Sequence, residues 1–423
     1  MSGLAVYGLQ HHFIYKPKKK RREVTPDDKM FAVITDTGKK HRDGNPALSS
    51  IFDGYSYSGA CIVDYLSEKI KQGGALMELQ EFLGSIQDLE RRGAIENALA
   101  AALSCIQHHR SVFGIQEEMP WLQVYEEDTV QAVASEGMNC IRFSTGLIDH
   151  YMAAKYPDIS KVLPGAPNIF GLNLVLDLGL AWALSHEYVH LYRKHDSVCA
   201  SVLSAALIDH SLTPQRKRSA LSLSKEDIDK ATEFDADLCA VAGIYRYMQK
   251  IFAGLVDDML IRKMVIFYVY WGVRGFPDIQ HSGTHPEISD RLYDICSKVG
   301  GLSAELSVSK YAVPEGYKSK VERVVILTSF VMEMEKIYIG SSGVKEVDAI
   351  WHKWLERIRT NAHTRSAANW SKLSPWVGEI SGTLADNRKD EFYFARQKQK
   401  KDAKFSKEKK KSQRKARRGS RVK

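Results

Sequence analysis

Five consecutive residues, His186-Glu187-Tyr188-Val189-His190, have the types and spacing to build a hydrolytic metal site. On an α-helix, residues four apart lie on one face. His186 and His190 therefore aim two imidazoles at a common point, at the spacing a zinc ion takes. Glu187, one position on, can reach the open position of such a metal and take a proton from water there. About one chain in a hundred of this length carries the pattern by chance, so its weight depends on the residues around it. The preceding run, 169–184, is mostly apolar and is interrupted by Asn173 and Asp177, themselves four apart. That is the pattern of a buried helix with one polar stripe. A carboxylate near mid-span, with the motif following without a break, argues against a membrane span.

Two histidines do not hold a catalytic zinc; a third protein ligand is required. Asp196 lies ten residues beyond His186. A ligand there needs the helix to break after His190, normally at a glycine three residues on, and this chain has Arg193 at that place. His195 meets the same obstacle and reads as a surface histidine. Glu233, on a separate later helix, is favoured over Asp196. Its neighbour on the same face is Asp237, four residues on. A metal-bound histidine commonly gives its second ring N–H to such a carboxylate. Phe234, Ala236, Leu238 and Ala240 make this helix largely apolar, unlike a solvated acidic face.

The elements that must position these groups are legible in outline. Trp121–Tyr125 and Cys140–Ser144 read as strands. A helix is expected from Thr145, capped by Ser144 or Thr145. Strands leading into the motif helix suit peptide hydrolysis, because an edge strand lets a peptide lie extended beside the metal. Upstream, Leu79, Phe82, Ile86 and Leu89 recur at helical spacing, and Gly93 is expected to separate two helices, the second running through Ile95, Leu99 and Leu103. Downstream, helices are expected over Cys199–Leu212, from Ser224 through Asp237, and near Lys318–Tyr338 and Val347–Thr360; Arg262–Phe276 reads as core. Phe31–Thr35 is a short strand candidate.

The expected fold class is α+β, mainly helical: a zincin-like catalytic domain with a small β-sheet edge and an active-site helix. Five regions are expected: a basic N-terminal arm (1–30), an N-terminal helical region (31–115), the zinc metallopeptidase domain (116–300), a C-terminal helical region (301–385) and a basic disordered tail (386–423).

Composition bounds the function. Hydrophobic residues make up 44% and charged residues 26%, the range of soluble globular proteins. Residues 1–14 lack the basic start and apolar core of a secretory signal. The six cysteines, at 61, 105, 140, 199, 239 and 296, include no C-x-x-C pair. They indicate neither a disulfide framework nor a cysteine-bound zinc, and a reducing cytoplasm fits. Arg396–Lys423 holds 15 Lys or Arg against 2 Asp or Glu, a charge of +13, which leaves −4 on the rest of a chain whose total is +9. Such a tail could contact RNA, ribosomes, other nucleic acid or anionic lipid by neutralising phosphates, or simply keep the chain soluble. The run Lys16-Pro17-Lys18-Lys19-Lys20-Arg21-Arg22 has the composition of a nuclear-import or polyanion-binding patch.

The His-Glu-x-x-His motif with a later Glu-x-x-x-Asp resembles the gluzincin metallopeptidases. Gly146-Leu147 after a strand, Glu233 to Asp237, and Thr284-His285-Pro286 with Arg291 resemble the branch that holds the HtpX heat-shock protease and the CAAX prenyl proteases. Without membrane spans, the arrangement is similar to soluble phage-exclusion peptidases of the Lit type. The resemblance covers roughly Trp121 to Lys298. It implies a peptide-bond hydrolase acting on a protein substrate, with zinc on His186, His190 and Glu233, Glu187 as base and Asp237 orienting a histidine. It also implies that His285 or Arg291 faces the substrate or stabilises the oxyanion, and that the protein acts in abortive infection. Two rivals stand beside it: a non-peptidase zinc hydrolase on the same helix, and a ribosome- or nucleic-acid-binding protein whose zinc is structural.

Overall fold

The computed structural model describes residues 77–113, 115, 118–164, 174–207, 213–252, 256–274, 285–302, 319–340 and 344–382. The expected N-terminal arm, the strand at Phe31–Thr35 and the basic tail lie outside the described residues. Every described residue belongs to one compact unit, Gly54–Lys423. Among them are thirteen α-helices, one short 3-10 helix (Glu136–Met138) and a three-stranded sheet, so the chain is a mainly helical α+β protein. No helix among the described residues is long and apolar enough to cross a membrane.

Helix α1 (Met77–Ser85) and helix α2 (Leu89–Phe113) precede the sheet. Their break falls at 86–88, not at Gly93, which lies inside α2. Asp88 supplies the start signal, its carboxylate accepting hydrogen bonds from the backbone N–H groups of Glu90 and Arg91. A glycine within a helix weakens it by only about 1 kcal/mol, so a good cap five residues earlier sets the boundary.

Strand β1 (Trp121–Tyr125) runs parallel to β3 (Cys140–Ser144), and β2 (Ala132–Ser135) runs antiparallel to it on the other side. The order β1-β3-β2 leaves β2 as an edge. Helix α3 (Thr145–Ala153) follows β3 directly, with the Ser144 hydroxyl accepting from Leu147 N–H at 3.1 Å. Gly146 is required at that junction: a Cβ there would stand 2.4 Å from the Asp128 carbonyl oxygen. After the short α4 (Ile159–Val162) comes α5 (Leu174–Arg193), the helix of the His-Glu-x-x-His residues.

Helix α5 is central. Every residue from Leu174 to Arg193 is buried except Glu187 and His190. A helix apolar all round must be enclosed all round, and α2, α3, α8 (Lys225–Phe252) and α9 (Asp258–Arg274) enclose it, with β2 alongside. Gly179 admits one of these neighbours, since a Cβ there would meet the Tyr151 ring of α3 at 2.6 Å.

Between α5 and α8 lie α6 (His195–Ala206) and the short α7 (Gln215–Arg218). Helices α10 (Ile288–Gly301), α11 (Lys320–Ile339), α12 (Val344–Thr360) and α13 (Arg365–Ile380) follow α9. The last was not foreseen. Thr364 caps it by accepting from Ala367 N–H. Its Trp370, Leu373, Trp376 and Val377 form a core with Val198 and Val202 of α6 and with Ile228, Ala231 and Phe234 of α8. Helices from before residue 115 and after residue 300 thus pack directly on those that carry the candidate site.

Candidate metal centre

Helices α5 and α8 lie against each other, so two i,i+4 pairs meet: His186 with His190, and Glu233 with Asp237. The two Nε2 atoms are 3.1 Å apart. Glu233 spans them, with Oε2 at 3.1 Å from His186 Nε2 and Oε1 at 3.3 Å from His190 Nε2. A tetrahedral ion with ligand bonds of about 2.05 Å has ligand-to-ligand edges of about 3.3 Å. The three donors fit such an ion, and they form the metal-ligand group found among the described residues.

The electrostatics agree with a site built for positive charge. Burial alone would lower the His186 imidazole, yet the Glu233 and Asp237 carboxylates raise it to about 10. His190 is raised against the same burial by Glu233. Burial would lift the Glu233 carboxyl, but the two histidines hold it well below the usual carboxylate range. A divalent cation satisfies the same carboxylate without protons.

Asp237 lies behind His186, with Oδ1 at 3.0 Å from Nδ1. This leaves Nε2 of His186 facing the metal position. Arg291 of α10 in turn clamps Asp237, donating from Nε at 2.7 Å and from a terminal nitrogen at 2.8 Å. Arg291 is buried and also borders the cleft. Its contacts are those of a support for Asp237. His285, just before α10, is partly exposed, and its Nε2 stands 3.2 Å from Glu233 Oε2. It lies outside the group of three donors.

Glu187 accepts a hydrogen bond from Ala134 N–H of β2 at 2.8 Å. Burial raises its carboxyl above the usual value, which favours a group that takes up a proton. A cleft of about 900 Å³ opens over these residues, bordered by 129–134, by α5, α6 and α8, and by His285.

The alternative third ligand behaves differently. Helix α5 does break shortly after His190, at Lys194, which takes the left-handed conformation with φ 54° and ψ 49°. A non-glycine residue there costs roughly 1–2 kcal/mol. The break nonetheless leaves Asp196 exposed and outside the donor group. Asp196 instead lies in the first turn of α6, where Glu136 accepts from the N–H groups of Asp196 and Ser197. His195, expected at the surface, is buried at 2% exposure, with Nδ1 at 3.0 Å from His190 Nδ1. Its immediate neighbours in sequence carry no signal for this. Only the reversal at Lys194 folds residue 195 back onto residue 190.

Compared with known proteins, the chain matches no family model, no curated protein and no solved structure.

Proposed function

We propose that the chain is a zinc-dependent endopeptidase with a zincin-like active site, acting on a protein substrate. The observation that carries this reading is the position of Glu187. It projects from the helix that bears His186 and His190, yet it lies outside the group of three donors and is tied to the edge strand β2. A structural metal site has no use for a half-buried carboxylate held at the cleft beside it.

Zinc bound by His186, His190 and Glu233 would polarise a carbonyl and lower the pKa of its water to about 7. Glu187 would serve as the base that takes a proton from the attacking water and returns it to the leaving amine. Asp237 and Arg291 hold His186 in the orientation that binding requires. Strand β2 supports peptides over other substrates, because its outer edge can pair with an extended backbone. His285 borders the open side, where it can donate to the developing oxyanion.

The test is to incubate the purified full chain with an unfolded proteome and map new N-termini. They should appear with zinc, vanish on chelation and return on zinc but not magnesium. A zinc-loaded protein that generates no new termini would overturn the reading.

A further inference from the structure

The two ligand histidines are supported in different ways. His186 has a carboxylate directly behind it, Asp237, which shares a helix face with Glu233. His190 has none. The next carboxylate on α8, Asp235, sits two residues from both Glu233 and Asp237. Two residues turn an α-helix by about 200°, so Asp235 projects from nearly the opposite face and cannot reach behind His190 directly.

His195 spans that gap. Its Nδ1 lies 3.0 Å from His190 Nδ1, and its Nε2 lies 3.4 Å from Asp235 Oδ2. Arg193 Nε is 3.1 Å from the same oxygen. All four groups are withdrawn from solvent: His195 and Arg193 are 2% and 3% exposed, Asp235 is fully buried and His190 is mostly so. Trp370 of α13 closes the outside, with its ring centroid 5.9 Å from that of His195 and 5.9 Å from the Arg193 guanidinium carbon.

We infer that His195, Asp235 and Arg193 form a relay that orients His190 for the metal, as Asp237 and Arg291 orient His186. The proton positions are mutually consistent. A metal on His190 Nε2 requires the proton on Nδ1, which donates to His195 Nδ1. His195 then carries its proton on Nε2, the atom that stands 3.4 Å from the Asp235 carboxylate, and Arg193 pairs its charge with the same oxygen at 3.1 Å. Each ring nitrogen then has one role. The α8 helix thus supplies one ligand and both supporting carboxylates at positions 233, 235 and 237. The left-handed turn at Lys194 brings Arg193 and His195 to Asp235 from two sides of one elbow. His195 is a positioning residue and touches no substrate.

This inference rests on the metal centre proposed above, and the experiment separates the two. Zinc affinity is measured on the full chain by competition with a chromophoric chelator, for wild type, His195→Phe and His195→Asn. Phenylalanine keeps a ring against Trp370 but offers no acceptor. Asparagine places an amide oxygen where Nδ1 stood. His195→Phe should bind zinc about 10- to 100-fold more weakly. His195→Asn should stay within about 5-fold of wild type, and both zinc-free variants should melt close to wild type. Tight zinc binding by His195→Phe would overturn the relay alone. Equal weakening in both variants, with or without loss of the zinc-free fold, would also overturn it, since ring packing and not the acceptor would then matter. A wild type that binds no zinc would refute the metal centre, and the relay with it.

Discussion

The Glu187 carboxylate accepts the Ala134 N–H at 2.8 Å, tying the helix of His186 and His190 to the edge strand β2. This N–H is directed to α5 and not to β3, so β2 serves the ladder and the cleft with different groups. Ala134→Pro deletes the donor without deleting a ladder bond. Zinc affinity should stay within a few-fold, while peptide turnover falls by about 10-fold as Glu187 loses its anchor. Unchanged turnover at unchanged zinc affinity would show that this hydrogen bond does not position the base.

Glu233 and Asp196 make opposite predictions. Glu233 spans both histidines, whereas Asp196 is exposed at the start of α6. Glu233→Ala should lose the metal, and Asp196→Ala should hold one ion per chain by elemental analysis. Full occupancy in Glu233→Ala would restore Asp196 as the third ligand.

Arg291 closes on Asp237 through two nitrogens, and both side chains are buried. Its positive charge holds the Asp237 carboxyl down against burial, which acts to raise it. Arg291→Met strips the partner from a buried carboxylate, so zinc-free protein should lose about 3–5 kcal/mol in denaturant unfolding. Wild-type stability with reduced turnover would instead place Arg291 on the substrate.

Asp177 gives a pH test away from the metal. It is buried on α5, and its Oδ2 has no hydrogen-bond partner among the described residues. Burial pushes its carboxyl up to about 8, whereas an unfolded aspartate ionises near pH ~4. Between these values the folded chain holds one proton more than the unfolded chain. Its stability therefore falls as pH rises through this window and levels off above it. Asp177→Asn escapes the effect. It should gain roughly 2–5 kcal/mol at pH ~9 and almost nothing at pH ~4. An equal change at both would contradict the assignment.

Much of the site was legible because its chemistry sits in two short helical periods. His186, Glu187 and His190 are adjacent in sequence, and Glu233 with Asp237 repeats the same four-residue spacing. Strands β1 and β3 were legible from their aromatic and branched residues. Strand β2 was not: Ala132-Val133-Ala134-Ser135 has little intrinsic strand preference, and its pairing with β3 is what makes it a strand. Helix α13 was missed because Pro375 interrupts a stretch whose apolar residues are few and spaced by polar ones; it is held by a core from α6 and α8. His195 looked like a surface residue because a reversal at a lysine is invisible to propensity. Lys194 takes a left-handed conformation that tertiary packing imposes.

The central claim is that a metal-bound water, activated by Glu187, hydrolyses a peptide bond. The most direct measurement compares wild type with Glu187→Gln for zinc content and peptide turnover on the same preparations. Glutamine keeps the side chain's shape and removes the base. The account predicts one zinc per chain in both proteins, equal melting temperatures within a few degrees, and turnover lower by about 100-fold or more in Glu187→Gln. Wild-type turnover by Glu187→Gln at full zinc occupancy would contradict it.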